Sequence, residues 1–217
     1  MSSEEQKSAA RRRDMIERHL RARGIRDPRV CQAFDRVPRE AFLDEKHRAE
    51  AYADSPLPIG CGQTISQPYV VALTLQELSV QPEHRVLDVG SGSGYQTALL
   101  SYLAAEVHAV ERIETLASRA METLKRLGVT NATVHIGDGS LGLPAFAPFD
   151  RIVCGAGAPD IPNAWIEQLA DGGRIVAPVG PRDVQTLLRV EKHGEHLRRV
   201  DLGGVRFVPL IGEQGWR

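Results

Sequence analysis

Apolar positions change their rhythm several times along this chain, and each change marks a different kind of element. Met15, Ile16 and Leu20 predict a short helix ending near Gly24, while residues 1–13 ahead of it read as a disordered tail. Asp27 before Pro28 predicts a helix start, with an acceptor side chain at the cap and proline at the first helical position. Val30, Ala33, Phe34 and Val37 then form one apolar stripe, and PREAFL adds a further turn. This front section is expected to be a helical cover.

Residues 51–72, AYADSPLPIGCGQTISQPYVVA, carry three prolines and two glycines and read as a loop too broken for a helix or a strand interior. Helical spacing returns in YVVALTLQELSV, and then the pattern becomes periodic on a larger scale. Short apolar strands at 85–90, 106–111, ATVHIG, FDRIVC and GRIVAPVG alternate with amphipathic helices. One of those helices runs from Ile113 through Leu116, Ala117, Ala120 and Leu124 to Leu127, stopping at Gly128. Strand and helix in alternation predict an α/β, Rossmann-like fold with a mostly parallel sheet covered on both faces. QTLLRVEKHGEHLRRVDL alternates by two on either side of His193 and Gly194, which predicts an antiparallel hairpin at the sheet edge. The expected division is a tail over 1–13 and a single domain over 14–217. Residues 14–80 form its cover and loop, and 81–217 its sheet and C-terminal segment.

Composition narrows the setting. With 217 residues, 42% hydrophobic and 25% charged, the chain can bury a full core without disulfides or metal. Cys31, Cys61 and Cys154 are odd in number and match no zinc spacing, so a reducing, cytoplasmic setting and a metal-free protein are expected. No apolar run is long enough to cross a membrane. Residues 1–40 hold eleven Lys or Arg against seven Asp or Glu, without interleaved aromatics, which reads as a solvated face and not a nucleic-acid surface. A monomer is expected. The spacing of His193 and His196 flanks a glycine turn with no further ligand, and Trp165 and Trp216 read as packing residues.

The candidate chemistry begins at DVGSGSGYQ, where Asp88, Gly90, Ser91, Gly92, Ser93 and Gly94 join a predicted strand to a predicted helix. Glycines there let backbone approach a ligand where a Cβ would intrude. The form D-x-G-x-G-x-G lacks the last glycine of a dinucleotide fingerprint and resembles the S-adenosylmethionine loop of Rossmann-like methyltransferases. Glu111, beside Arg112, ends the second strand and suits the two hydroxyls of a ribose. Asp138, flanked by Gly137 and Gly139 after the third, suits an adenine amino group.

Beyond that loop, PLPIGCGQTISQPYVVA, VERI, GDG, APFDRIV and VRFVPL together resemble the protein-L-isoaspartate O-methyltransferase family from about residue 51 to the C-terminus. The resemblance implies methyl transfer from S-adenosyl-L-methionine to isoaspartyl residues of damaged proteins and peptides. It implies that Gln63, Thr64, Ile65 and Ser66 form a loop over cofactor and substrate, with Ser66, aided by Thr64, at the catalytic centre. Ile59 and the run Val205, Arg206, Phe207, Val208, Pro209, Leu210 would line the substrate groove. One departure is Cys154-Gly155-Ala156-Gly157, where the family commonly has threonine and alanines. The alternatives are a methyltransferase for RNA or a small molecule, for which no N-P-P-Y type motif is present, and a cofactor-binding protein without turnover.

Overall fold

A computed structural model describes residues 3–217. Its frame is a seven-stranded sheet built on the predicted strands. In chain order, β1 (Leu57–Gly60) and β2 (Gln63–Ile65) form a separate small hairpin. β3 (Arg85–Val89), β4 (Glu106–Glu111), β5 (Ala132–Ile136), β6 (Phe149–Cys154) and β7 (Leu169–Val179) run parallel. β8 (Gln185–His193) and β9 (His196–Val205) close the sheet antiparallel at its edge, in the order β5-β4-β3-β6-β7-β8-β9. The edge hairpin turns where expected, His193 facing His196 in register.

The chain leaves β3 for β4 and β5 on one side and returns to β6 on the other. The crevice at the carboxyl ends of β3, β4 and β6 is therefore the switch point at which open α/β sheets hold ligands.

Side-chain alternation divides the core in two. Val86, Val107, Ala109, Val153 and Val176 face one cluster, with α2 (Pro28–Arg36), α3 (Pro68–Leu78), α4 (Tyr95–Ser101) and α5 (Glu114–Arg126) packed into it. Leu87, Val89, Val110, Ile152 and Ile175 face the other, which is filled by Trp165 of α6 (Asn163–Gln168). Both faces of every central strand are buried, which is why those strands read as unbroken apolar runs.

The cover forms as its pattern dictates. Asp27 accepts a hydrogen bond from the Arg29 amide at 2.8 Å, Pro28 opens α2, and Val30, Ala33 and Phe34 are buried. The chain turns at Gly24, whose φ of +94° suits glycine.

Two expectations need correction. The segment expected to be a disordered tail is helical from Ser3, as α1 (Ser3–Met15), continuing through helical turns to Arg23; residues 1–2 lie outside the described residues. This helix has no apolar stripe. Polar contacts made far along the chain hold it: Ser8 to Glu40 and Tyr52, Arg11 to the Ala49 carbonyl, and Arg12 to Tyr52. The second correction concerns the segment read as a loop, which contains the β1–β2 hairpin. Gly60, Cys61 and Gly62 all take positive φ and reverse the chain, and Pro58 is tolerated because the sheet has only two strands.

Candidate active site

The glycine loop leaves β3 with Gly90, Gly92 and Gly94 at φ of +72°, +54° and +84°, a path other residues adopt only under strain. It is tied to the next strand by Gly90 N–H, which donates to the Val110 carbonyl at 2.8 Å. Packing adds a steric demand: a Cβ on Gly94 would lie 3.0 Å from that of Ala120, and one on Gly92 would lie 3.3 Å from Ile59 Cδ1.

Glu111 reaches this loop from the end of β4. One carboxylate oxygen accepts from the Gly92 amide at 2.9 Å and the other from the Ile113 amide at 2.9 Å. The side chain is buried, yet its open side borders a cleft of about 600 Å3, mouth included. Gln63, Arg112, Gly139, Gly155 and Leu210 share that wall.

Two neighbouring spaces meet the cleft. A wide groove of about 1080 Å3 runs between the hairpin and the chain after β9, walled by Ser66, Val70, Val205, Arg206 and Phe207. A smaller cavity of about 360 Å3 lies between the hairpin and the glycine loop and is bordered by Ile65, Ser66, Ser91 and Ser93. Thr64 and Gly155 line all three. Within the smaller cavity's wall, the Ser91 hydroxyl is buried and has no hydrogen-bond partner among the described residues. A buried polar atom without a partner costs free energy until something bonds it.

The structure gathers most of the residues predicted from sequence, though in altered groupings. The run from Val205 to Leu210 straddles the two main spaces: Val205 and Phe207 face the groove, Pro209 and Leu210 the cleft, and Val208 both. Ile59 does not face the groove; it is buried beneath Gly92 and supports the loop from below.

Asp88 points away from the cleft. Alternation along β3 turns it toward α4, where Gln96 and Thr97 donate to its two oxygens at 2.8 and 2.7 Å. Burial pushes its pKa up to about 6 against those two bonds, which act to lower it.

Asp138 is also engaged within the protein. One oxygen accepts from the Ser140 amide and hydroxyl at 2.9 and 2.7 Å, the other from the Glu213 amide at 2.7 Å. Burial would raise its pKa, but the bonds from Glu213 and Ser140 outweigh that and hold it below the ordinary aspartate value. Its neighbour Gly139, not Asp138 itself, borders the cleft, and the Trp165 indole fixes the Gly139 carbonyl at 2.9 Å.

Sequence reasoning gave Gly155 no role. A signal was present, since Gly155 directly follows β6 at the switch point. A Cβ there would lie 2.9 Å from the Gly90 carbonyl oxygen, so the two strand-end loops approach this closely because residue 155 is glycine. The neighbouring Cys154 is inert: burial pushes its thiol up to about 12, and it donates to the Ala156 carbonyl.

An enclosed cleft that opens into a broad groove, at the strand ends of a parallel sheet covered on both faces, is the arrangement of a Rossmann-like transferase. It lets a small donor be held apart from a large acceptor. Comparison with known proteins gives the particular family. Residues 10–215 match the model of the family described as Protein-L-isoaspartate(D-aspartate) O-methyltransferase (PCMT), and the chain belongs to that family.

A protein-L-isoaspartate O-methyltransferase of Roseiflexus sp. strain RS-1 is 54% identical, over 96% of this chain and 95% of that relative. A solved structure described as protein-L-isoaspartate O-methyltransferase superposes with a TM-score of 0.85 at 29% identity, over 94% of this chain and 67% of the other. A Plasmodium falciparum structure given that enzyme description, in complex with S-adenosyl-L-homocysteine, has a TM-score of 0.80 at 26% identity, over 94% and 98%.

Proposed function

We propose that the enclosed cleft seats S-adenosyl-L-methionine and that the groove admits an isoaspartyl segment of a damaged protein, whose α-carboxylate meets the donor beside Thr64 and Gly155. The observation that carries this reading is that, among the described residues, these two alone border the cleft, the groove and the small cavity. The residues present fit the donor. Ser91 offers a buried hydroxyl in need of a partner, the glycine loop offers close backbone, and Glu111 keeps lone pairs free for the ribose hydroxyls. Gln63, Ile65, Ser93 and Arg112 complete the walls around it. Asp138 serves the adenine end at one remove, by fixing Gly139 and the chain at Glu213.

Bound there, the sulfonium supplies an electrophilic methyl group. The chain's own residues then have little proton chemistry to perform, because an isoaspartyl carboxylate with a pKa of about 4 is ionised at neutral pH. Thr64 and Ser66 are neutral hydroxyl donors that orient the carboxylate without quenching its charge. The hairpin carrying them excludes water at the meeting point, where opposite charges cancel as the methyl moves. The methyl ester so formed is attacked by the following backbone nitrogen, releasing methanol and leaving a succinimide that reopens in part to normal aspartate.

The free thiols of Cys31, Cys61 and Cys154 suit a reducing compartment, so we place the protein in the cytoplasm. Among the described residues, no helix is long and apolar enough to cross a membrane. Methyl transfer to a pair of peptides identical except for isoaspartate or aspartate at one position tests the reading. Transfer to the isoaspartyl peptide alone is the expected result. Equal transfer to both, or to neither, contradicts it.

A further inference from the structure

The groove is nearly neutral. Its walls are Pro56, Thr64, Ser66, Gln67 and Val70 on one stretch, Val184 ahead of β8, and the chain around Phe207, and among the described residues that line it Arg206 is the one that is charged. Nothing in the protein engages that charge: among the described residues, no hydrogen bond or ion pair involves the guanidinium, which is exposed.

Its backbone, by contrast, is held on both sides. Val205 pairs with Gln185 at the end of β9, the Phe207 amide donates to the Gln185 side chain at 2.8 Å, and the Gly157 amide donates to the Val208 carbonyl at 2.8 Å. Gln185 is itself buried and donates to the Pro181 and Arg182 carbonyls. A free cation thus stands on a rigid ledge inside a groove wide enough for a peptide.

The charges nearest along the chain are otherwise occupied or face elsewhere. Asp201 accepts from the Gly203 amide at 2.7 Å. Arg182 bonds the Arg217 carbonyl at 2.7 Å and lies over the Trp216 ring. Asp183 lies beside Val184 but does not line the groove.

Arg206 also stands apart from the transfer point. It borders the groove alone, whereas Thr64 and Gly155 also border the cleft and the small cavity. A guanidinium paired directly with the attacking carboxylate would in any case weaken it as a nucleophile. What the cation can reach is the rest of an occupying peptide.

We propose that Arg206 is a specificity determinant that favours isoaspartyl sites flanked by acidic side chains over those flanked by basic ones. This rests on the groove being the acceptor site. A solvent-exposed pair of opposite charges is worth a modest factor, and a like-charge pair costs a similar one. Both act on association more than on the chemical step, and both are screened by salt.

The test uses three peptides with one isoaspartate, flanked on both sides by Glu, Gln or Lys, and the full-length protein. For the wild type at low ionic strength, kcat/KM should fall from Glu to Gln to Lys by about threefold per step, carried by KM, and the spread should shrink in 0.5 M salt. Arg206→Gln should level the series, and Arg206→Glu should reverse it. If the wild type methylates all three equally, or if Arg206→Glu keeps the original order, the assignment of Arg206 is overturned while the methyltransferase reading stands. If the wild type methylates none of the three, both fail together.

Discussion

In the proposed reading Ser66 and Gly92 divide the work of the site between acceptor and donor: both line the small cavity, but of the two Ser66 also borders the groove and Gly92 the cleft. Gly92→Val forces a branched side chain to a φ of +54° and against Ile59, so it should abolish S-adenosylmethionine binding in calorimetry. Ser66→Ala should leave that binding within about threefold and lower the single-turnover rate by about one to three orders of magnitude, the scale of a lost positioning hydrogen bond. A wild-type rate in Ser66→Ala would reduce the hairpin to a lid.

Asp88 gives a prediction of a different kind. Its pKa is raised in the folded protein, from 3.8 to about 6, so the folded state holds the proton more tightly than the unfolded chain does. Its contribution to stability is fully present below about pH 4 and lost as pH rises through 6. Asp88→Asn should therefore gain on the wild type by about 2 kcal/mol between pH 4 and 7, most of the shift expressed as free energy. Urea unfolding of both proteins across that range measures the difference. A difference that stays flat with pH would mean that Asp88 is not a strained buried acid.

At the scale of elements, α1 and the hairpin have opposite relations to the site. The contacts of α1 side chains at Ser8, Arg11 and Arg12 go to the cover, at Asp35, Glu40, Ala49 and Tyr52, and none of its described residues lines the cleft or the groove. Deleting residues 1–13 should lower the melting temperature by several degrees, a loss of about 1 to 2 kcal/mol, and leave kcat/KM within about threefold. A tenfold loss of activity at a temperature where the shortened chain is folded would give α1 a functional role. The hairpin, in contrast, carries Gln63, Thr64 and Ile65 directly into the walls, and Ser66 follows its last strand. Its conformation depends on three successive residues at positive φ, one of them Cys61.

At the scale of the whole molecule, the cleft is assembled from pieces far apart in sequence: the hairpin, the loops after β3, β4, β5 and β6, and the segment ending at Leu210 and Ile211. A ligand that bridges them ties the fold together and stabilises it by mass action. S-adenosylhomocysteine at 100 times its Kd should add about 2.7 kcal/mol, or roughly 5 to 10 °C in melting temperature for a chain of this size. Glu111→Ala at that same ligand concentration should lose most of the shift. An undiminished shift would remove Glu111 from the ligand site.

The sequence by itself determined the strand and helix alternation, the parallel sheet, the edge hairpin at Gly194 and the glycine loop after β3, because each depends on local periodicity or on a turn only glycine makes easily. It also determined the family, since the hairpin and VRFVPL motifs are contiguous runs. Where side chains point was decided by the tertiary structure. Asp88 lies in the loop motif, yet strand alternation and the position of α4 turn it into the core. Asp138 follows its strand as predicted, yet its oxygens go to Ser140 and to a backbone amide 75 residues away. Gly155 became legible only when two loops were seen to meet, and α1 only when its polar partners 32 to 44 residues along were in place. Periodicity records which face of an element is buried; which distant group waits on that face is set by how the elements pack.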